Sequence, residues 1–388
     1  MATYDAVVVG AGITGASTAY HLKKRGVGRV LLVERDRPAS GGTGKSAAIM
    51  RQHYSNALLV RLAKASIGML AALPQDVGQS GGYARAGYFF LLNEAMMAGA
   101  KANVAMQSGI GVDTRFLDPA EIDALCPWLH RDGVAGVVHE PDGGYADPVQ
   151  STEAYVHGFK ALGGEFREKV PVRALVRSGD RITGVALDAE EVRAGSVVNA
   201  AGPWAGHLAA SAGIALSMRT VREQDSIWEA RPGRPLPTGS ISNGVDAIYL
   251  RTLGDRRFVV GRGFPKAYHD VDPYNYKLSA DEDFIADVQT RMERRFPPLA
   301  GARLVNSYGA LYDVAVDWYP YVGPRAGLTG YYDASGGSGH GFKIGPAIGR
   351  ELADWIVNGR TKDDFARLSY DRVAQNALFT QAYGGNRG

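Results

Sequence analysis

The sequence predicts an α/β fold, and three stretches predict it. The apolar run Ala6-Val7-Val8-Val9 feeds Gly10-Ala11-Gly12-Ile13-Thr14-Gly15 and then a helical pattern. A second apolar run, Val197-Val198-Asn199, ends in Ala200-Ala201-Gly202, small residues ahead of Pro203-Trp204. Near the C-terminus, Gly336-Gly337-Ser338-Gly339-His340-Gly341-Phe342-Lys343 runs into Ile344, Ile348, Leu352 and Trp355-Ile356, apolar at helical spacing. Buried strands alternating with helices point to a parallel sheet.

The first unit is the most explicit. Residues 6–9 read as a strand buried on both faces. Residues 16–25 read as a helix, with Lys23-Lys24-Arg25 at the end where cations suit the dipole. Gly26 can cap it. Residues 29–33 read as the second strand, which ends on Glu34. Gly10 permits a tight turn, Gly12 a close approach of backbone to a pyrophosphate, and Gly15 close packing of helix on strand. The helix N-terminus offers N–H donors and positive potential to phosphates. Glu34 follows the glycines by about 20 residues, where a carboxylate accepts from both ribose hydroxyls and repels a 2′-phosphate. The unit therefore predicts a bound dinucleotide and disfavours NADP.

The bulk properties narrow the class. The chain has 388 residues, enough for roughly two to three domains. Hydrophobic residues make up 45% and charged residues 21%, as in an ordinary globular protein. A net charge of +3 is too mild to argue for nucleic acid or an anionic membrane. The 50 glycines are spread along the chain and predict many turns and close backbone approaches. The single Cys126 leaves no internal disulfide and fits a reducing, cytoplasmic compartment; it reads as a buried inert thiol. No stretch reads as a leader or as a membrane span of ~20 apolar residues. The histidines at 21, 139, 157, 207 and 269 show no metal-ligand spacing, so no metal is assigned.

The stretch Ala-Ser-Gly-Gly-Thr-Gly-Lys-Ser at 39–46 fits a relaxed phosphate loop. Such a loop needs a strand running straight into it, and Glu34-Arg35-Asp36-Arg37-Pro38 intervenes. The loop, with Gly44, Lys45, Ser46 and Ala47, is expected to fold over the same dinucleotide rather than over a separate ATP.

FAD and NAD both satisfy the first fingerprint. The small residues after 197–199 let a ligand approach the carboxyl end of a strand, with Pro203 at a helix start. The loop at 336–343 feeds a second helix N-terminus, able to stabilise negative charge on the N1–C2=O edge of a reduced flavin.

With these stretches in view, the chain resembles the D-amino-acid oxidase superfamily of flavoproteins. Within it, the chain is similar to the branch of sarcosine oxidase, dimethylglycine dehydrogenase and the beta subunits of heteromeric sarcosine oxidase and proline dehydrogenases. The resemblance also rests on Ile49-Met50-Arg51-Gln52-His53-Tyr54, Asp142-Gly143-Gly144-Tyr145-Ala146-Asp147-Pro148, Gly309-Ala310-Leu311-Tyr312-Asp313 and Asp317-Trp318-Tyr319-Pro320. It implies FAD, bound by a Rossmann-like domain of residues 1–85, 145–218 and 325–388. A mainly antiparallel substrate domain of 86–144 and 219–324 would complete an α+β, two-domain chain. Residues 83–92 and 246–262, rich in aromatic and β-branched types, read as strands of that second domain. Cofactor contacts are implied at Gly10, Gly12, Ile13, Thr14, Gly15, Glu34, Arg35, Gly44, Lys45, Ser46, Ala47 and Val172. Others fall at Ala200, Ala201, Gly202, Trp204, Tyr312, Gly337, Gly339, His340, Gly341, Phe342 and Lys343.

The same resemblance implies oxidation of a C–N bond by hydride transfer to flavin N5, giving an imine that hydrolyses. Arg51 and Lys343 match the cations that hold a substrate carboxylate, one a guanidinium fork and one a point charge. Tyr249 and Arg251 match the strand that passes over the flavin, and His53 and Tyr54 flank Arg51. Two positions depart from the monomeric oxidases. Ala310 stands where those attach flavin through Cys, which implies non-covalent FAD. Val259 stands where those carry an oxygen-activating Lys, so a dehydrogenase using another electron acceptor is at least as well supported as an oxidase. The expected partners are an amino-acid-like substrate and, in one reading, a second subunit that receives the electrons.

Overall fold

The computed structural model describes residues 2–380; Met1 and residues 381–388, which fall in the expected segments 1–85 and 325–388, lie outside the described residues. Two eight-stranded sheets organise the chain. In the first, Thr3–Val9 lies between Val30–Val33 and Glu191–Asn199, all parallel. Leu328–Ser335 extends it in parallel, and Tyr321–Arg325 closes that edge antiparallel. Glu165–Arg167 adds a strand on the other side. The hairpin of Val172–Ser178 and Arg181–Leu187 joins antiparallel at the start of Glu191–Asn199. The central strands are apolar because both faces are covered: Val7, Val8, Leu31, Leu32, Val197 and Val198 are fully buried.

The register decides where function can lie. Val9 pairs with Val33 on one side and Asn199 on the other, and Asn199 pairs with Asp333. The parallel strands therefore end together, and their following loops, at Gly10, Glu34, Ala200 and Gly336, open on one edge. In open α/β sheets that edge is where ligands bind.

On one face, the helices Ile13–Lys24, Ala57–Val77, Pro148–Ala161 and Gly341–Asn358 share a core with the sheet. The last of these packs closely on the first. A Cβ on Gly345 would meet Ile13 and Thr14 at 2.8 Å, and one on Gly349 would meet Ser17 at 2.6 Å. The helix begins at Gly341, inside the stretch expected to be loop, and carries Pro346 within it. At residue 203 the expected helix is instead one 3₁₀ turn, Gly202–Trp204, followed by the short helix Ala205–Ala210.

The second sheet runs Arg303–Ala315, Met218–Glu229, Arg257–Arg262, Ile248–Gly254, Ser240–Asn243, Tyr88–Leu92, Gly136–Glu140 and Arg115–Phe116. Only the pairing of Ser240–Asn243 with Tyr88–Leu92 is parallel. The period of two sorts its faces. Phe89, Leu91, Ile241, Leu250 and Trp228 join a core under the helix Glu282–Arg295. Tyr88, Phe90, Ser242, Tyr249 and Asp225 face the other way, towards the first sheet's open edge.

Two expectations need correction. Tyr321–Arg325 pairs within the first sheet, so the boundary expected at 324/325 falls earlier, after Arg303–Ala315. And one helix, Ala57–Val77, is long and apolar enough to cross a membrane by length and composition, with mean hydropathy 1.5. Arg61 and Lys64 interrupt its apolar run and hid it from the sequence reading. Here half of its most apolar window is buried, with Leu59, Val60 and Ala63 fully inside.

Candidate active site

A cavity of about 470 Å³ lies between the open edge of the first sheet and the inner face of the second. Its outer end is built by the first unit. Gly10 has φ +103°, and a Cβ there would stand 2.5 Å from Ala200 O. A Cβ on Gly15 would stand 2.0 Å from Gly10 O. These contacts seat the N-terminus of Ile13–Lys24 directly over the strand end. Within its first turn, the N–H groups of Thr14 and Gly15 have no acceptor among the described residues, as first-turn donors do not unless a ligand supplies one. Glu34 is buried at the end of the second strand; its carboxylate accepts from Ala11 N–H at 2.8 Å and Asp36 N–H at 3.0 Å. Arg35 stacks 3.6 Å above the Trp204 ring.

The loop at 39–46 folds over the same helix end. Thr43 Oγ1 accepts from Ile13 N–H at 3.2 Å. Gly44 turns inward and donates to Ala39 O at 2.9 Å, off the cavity wall. Lys45 reaches the second sheet, donating to Tyr276 OH at 2.8 Å and Gly309 O at 3.0 Å. Among the described residues, nothing in this loop forms a separate triphosphate cradle.

The inner end belongs to the C-terminal glycine loop. Asp313, on the second sheet, accepts from the N–H groups of Gly336 at 2.7 Å and Gly337 at 3.0 Å. Ser338 adopts φ +50° and donates through its hydroxyl to Gly336 O. This bracing aims the N-terminus of Gly341–Asn358 into the cavity, with Gly337, Gly339, Gly341, Phe342 and Lys343 on its wall.

Between the two ends sit the remaining polar groups. Arg51 lines the cavity, donates to His53 O and lies 4.4 Å over the Tyr54 ring. Lys343 lines it too, and its ammonium has no hydrogen-bond or ion-pair partner among the described residues. Burial, and then the Arg51 charge, hold Lys343 well below the usual lysine range. His53 packs edge-on against Phe90, with Nδ1 3.9 Å from Glu140 Oε1. Burial and Arg51 lower the His53 imidazole to about 3, so it is neutral. Glu140 is fully buried, accepts from Gln52 N–H at 2.7 Å, and is raised by burial to about 7. Tyr249 donates to Asp225 Oδ1 at 2.7 Å. Ala310 and Tyr312 line the wall nearby; Val259 is buried in the sheet, away from it.

Of the residues singled out in the sequence for the site, Gly44, Tyr54, Arg251 and His340 do not line the cavity. Arg251 is buried behind it, 4.9 Å from the Tyr145 ring. His340 stands at the N-cap position of Gly341–Asn358, and its Nδ1 is 3.3 Å from Tyr54 OH. Tyr54 is fully buried beneath Arg51, off the wall. The other candidate cofactor and substrate contacts, Val172, Ser46 and Ala47 included, lie on the wall. Sequence reasoning missed Glu140, Asp313, Glu223 and Asp225. The spacing Glu223-x-Asp225 inside a strand was the available signal, since it puts two acids on one face.

A family model described as FAD dependent oxidoreductase, DAO, matches residues 5–355. The chain belongs to the DAO family. Its cofactor is FAD, and the unpaired first-turn donors, the buried Glu34 and the braced glycine loop fit one. The DAO chain is 28% identical over 377 residues to 4-methylaminobutanoate oxidase (formaldehyde-forming) of Paenarthrobacter nicotinovorans, covering 95% of this chain and 45% of that protein. It is 27% identical to mitochondrial sarcosine dehydrogenase of Mus musculus, covering 95% and 41%. It thus spans less than half the length of these two relatives. Among solved structures, L-proline dehydrogenase from P. horikoshii superposes with a TM-score of 0.90 at 27% identity, over 97% of this chain and 100% of that one.

Proposed function

We propose that this chain oxidises the C–N bond of a small amino acid whose nitrogen is a secondary amine, N-methylated or cyclic. The observation that carries it is Lys343, a partly buried ammonium on the cavity wall with no ion-pair partner among the described residues, depressed by burial and then by the neighbouring Arg51. Two cations converging on a desolvated space favour an anion between them. A carboxylate on the substrate supplies it. The relatives named for 4-methylaminobutanoate, sarcosine and L-proline are named for compounds that carry a carboxylate and a secondary amine.

FAD supplies the hydride acceptor. The chain's own residues do the rest. Arg51 and Lys343 hold the carboxylate and so fix which C–H bond faces the flavin. Phe90 and Tyr88 on the wall exclude water. The N-terminus of Gly341–Asn358, on the cavity wall, would favour negative charge on a bound flavin. Ala310 offers no nucleophile, which supports non-covalent FAD; acid precipitation should release the flavin into the supernatant. Val259 supports an acceptor other than oxygen. Lys266, the nearest lysine in sequence, is held by Glu223 and Arg262 O.

The test compares an amino acid with its decarboxylated amine in wild type and in Lys343→Met. The wild type should prefer the acid, and the variant should lose about 10- to 100-fold in kcat/KM for the acid alone. Equal losses for both compounds would contradict the carboxylate clamp.

A further inference from the structure

Beside the cavity stands a buried carboxylate that the clamp does not use. Asp225, on Met218–Glu229, is 4% exposed and lies on the cavity wall. Its Oδ1 accepts from Tyr249 OH at 2.7 Å. Its Oδ2 has no hydrogen-bond partner among the described residues. Gly261 makes room for the pair: a Cβ there would stand 2.4 Å from Asp225 Oδ1 and 2.3 Å from Tyr249 OH. A buried acid needs a cation or donors; of the two cations that act on Asp225, Lys266 is taken by Glu223, and no ion pair joins Arg251 to it among the described residues. What Asp225 lacks is a positive group arriving from the cavity side.

We infer that Asp225 is the amine site of this pocket: Oδ2 binds the substrate ammonium and accepts its proton, while Tyr249 holds Oδ1 in place. This rests on the amino-acid reading above and deepens it. An ammonium cannot give up a hydride from its neighbouring carbon until it has a lone pair to delocalise. In the step assigned to Asp225, an N–H bond of the ammonium breaks and an O–H bond forms on Oδ2. The amine is left neutral, with its lone pair free, and no electrons leave the pair of partners. Arg51 and Lys343 then hold one end of a zwitterion and Asp225 the other, so the site selects compounds that carry both charges.

The groups facing Asp225 set its proton affinity. They are Glu223 on its own strand, Tyr249 and Arg251 on Ile248–Gly254, Lys266 beyond the next strand, and Tyr308 and Tyr312 on Arg303–Ala315. Burial dominates and raises the carboxyl to about 7. Such a group is ionised enough near neutral pH to bind a cation and basic enough to take a proton from it.

The experiment uses flavin-loaded wild type and Asp225→Asn under anaerobic conditions. Two ligand pairs are compared, L-proline with tetrahydro-2-furoic acid and sarcosine with methoxyacetic acid. Amine ligands are read through saturation of the flavin reduction rate, and the amine-free acids through perturbation of the flavin spectrum. In the variant, the apparent Kd of the amines should rise about tenfold or more, while that of the amine-free acids stays within about threefold. Wild-type affinity for the amines should improve as pH rises through about 7, and the variant should lack that step. If amines and amine-free acids shift together, or neither shifts, Asp225 is not the amine site. A wild type that binds no member of either pair would overturn the amino-acid reading itself. Flavin content reports folding, and Asp225→Ser carries the same comparison if the Asn variant loses its flavin.

Discussion

At the cavity wall, single atoms decide the chemistry. Burial and the Arg51 charge depress Lys343 in the absence of an anion, and both cations line the cavity, so Arg51→Met and Lys343→Met should both weaken carboxylate substrates by about 10- to 100-fold in KM, with neutral amines little changed. Steady-state kinetics on both substrate classes checks this. Glu140 gives a second prediction, at the level of stability. Its folded carboxyl is raised from the ordinary 4.5 to about 7. The folded protein therefore holds a proton that the unfolded chain has lost between those values, and stability falls as pH rises through that window. Glu140→Gln removes the dependence. The difference in unfolding free energy, wild type minus variant, should decline from pH 4.5 to pH 7, and denaturant melts across that range measure it. These groups were poorly legible in the sequence. Glu140 and Asp225 look like ordinary strand acids until the fold shows that both side chains are buried.

At the scale of elements, two helix N-termini do the work, and each is aimed by something different. The first is aimed by close packing of glycine. Gly15→Ala would drive a methyl to within 2.0 Å of Gly10 O, a clash of the kind that costs about 1–3 kcal/mol or more. The variant should melt lower and purify with little flavin, as the visible spectrum would show. The second is aimed by Asp313, whose one carboxylate oxygen takes two N–H groups of the loop. Asp313→Ala should weaken FAD binding by about tenfold, with Asp313→Asn intermediate; titration of the apoprotein with FAD measures both. The strand, glycine turn, helix and acid of residues 6–34 were readable because each local preference agrees with the next. The C-terminal helix was readable in its apolar face but not in its start. Gly339 and Gly341 look like loop, and the long-range bond to Asp313 is what turns that stretch into a braced helix entrance. Lys45 misled for the same reason: its partners, Tyr276 and Gly309, are more than two hundred residues away.

Across the whole molecule, one sheet delivers the cofactor loops and the other closes the reaction space. The first was legible as a parallel sheet from its uninterrupted apolar runs. The second was legible only as scattered strands, because its order, running from Arg303–Ala315 at one edge to Arg115–Phe116 at the other, interleaves distant segments. The absence of a lysine at Val259 places a prediction at this scale too. Once reduced by substrate, the protein should return slowly to its oxidised colour in air, and quickly with an artificial acceptor dye. Before any of these, an anaerobic titration of the purified protein tests the central claim. The visible flavin band is followed while sarcosine, dimethylglycine, L- and D-proline, 4-methylaminobutanoate and ordinary L- and D-amino acids are added one at a time. The account predicts that a secondary-amine amino acid bleaches the band and that its decarboxylated counterpart does not. A flavin-loaded protein bleached by the simple amine but by none of the acids would contradict it.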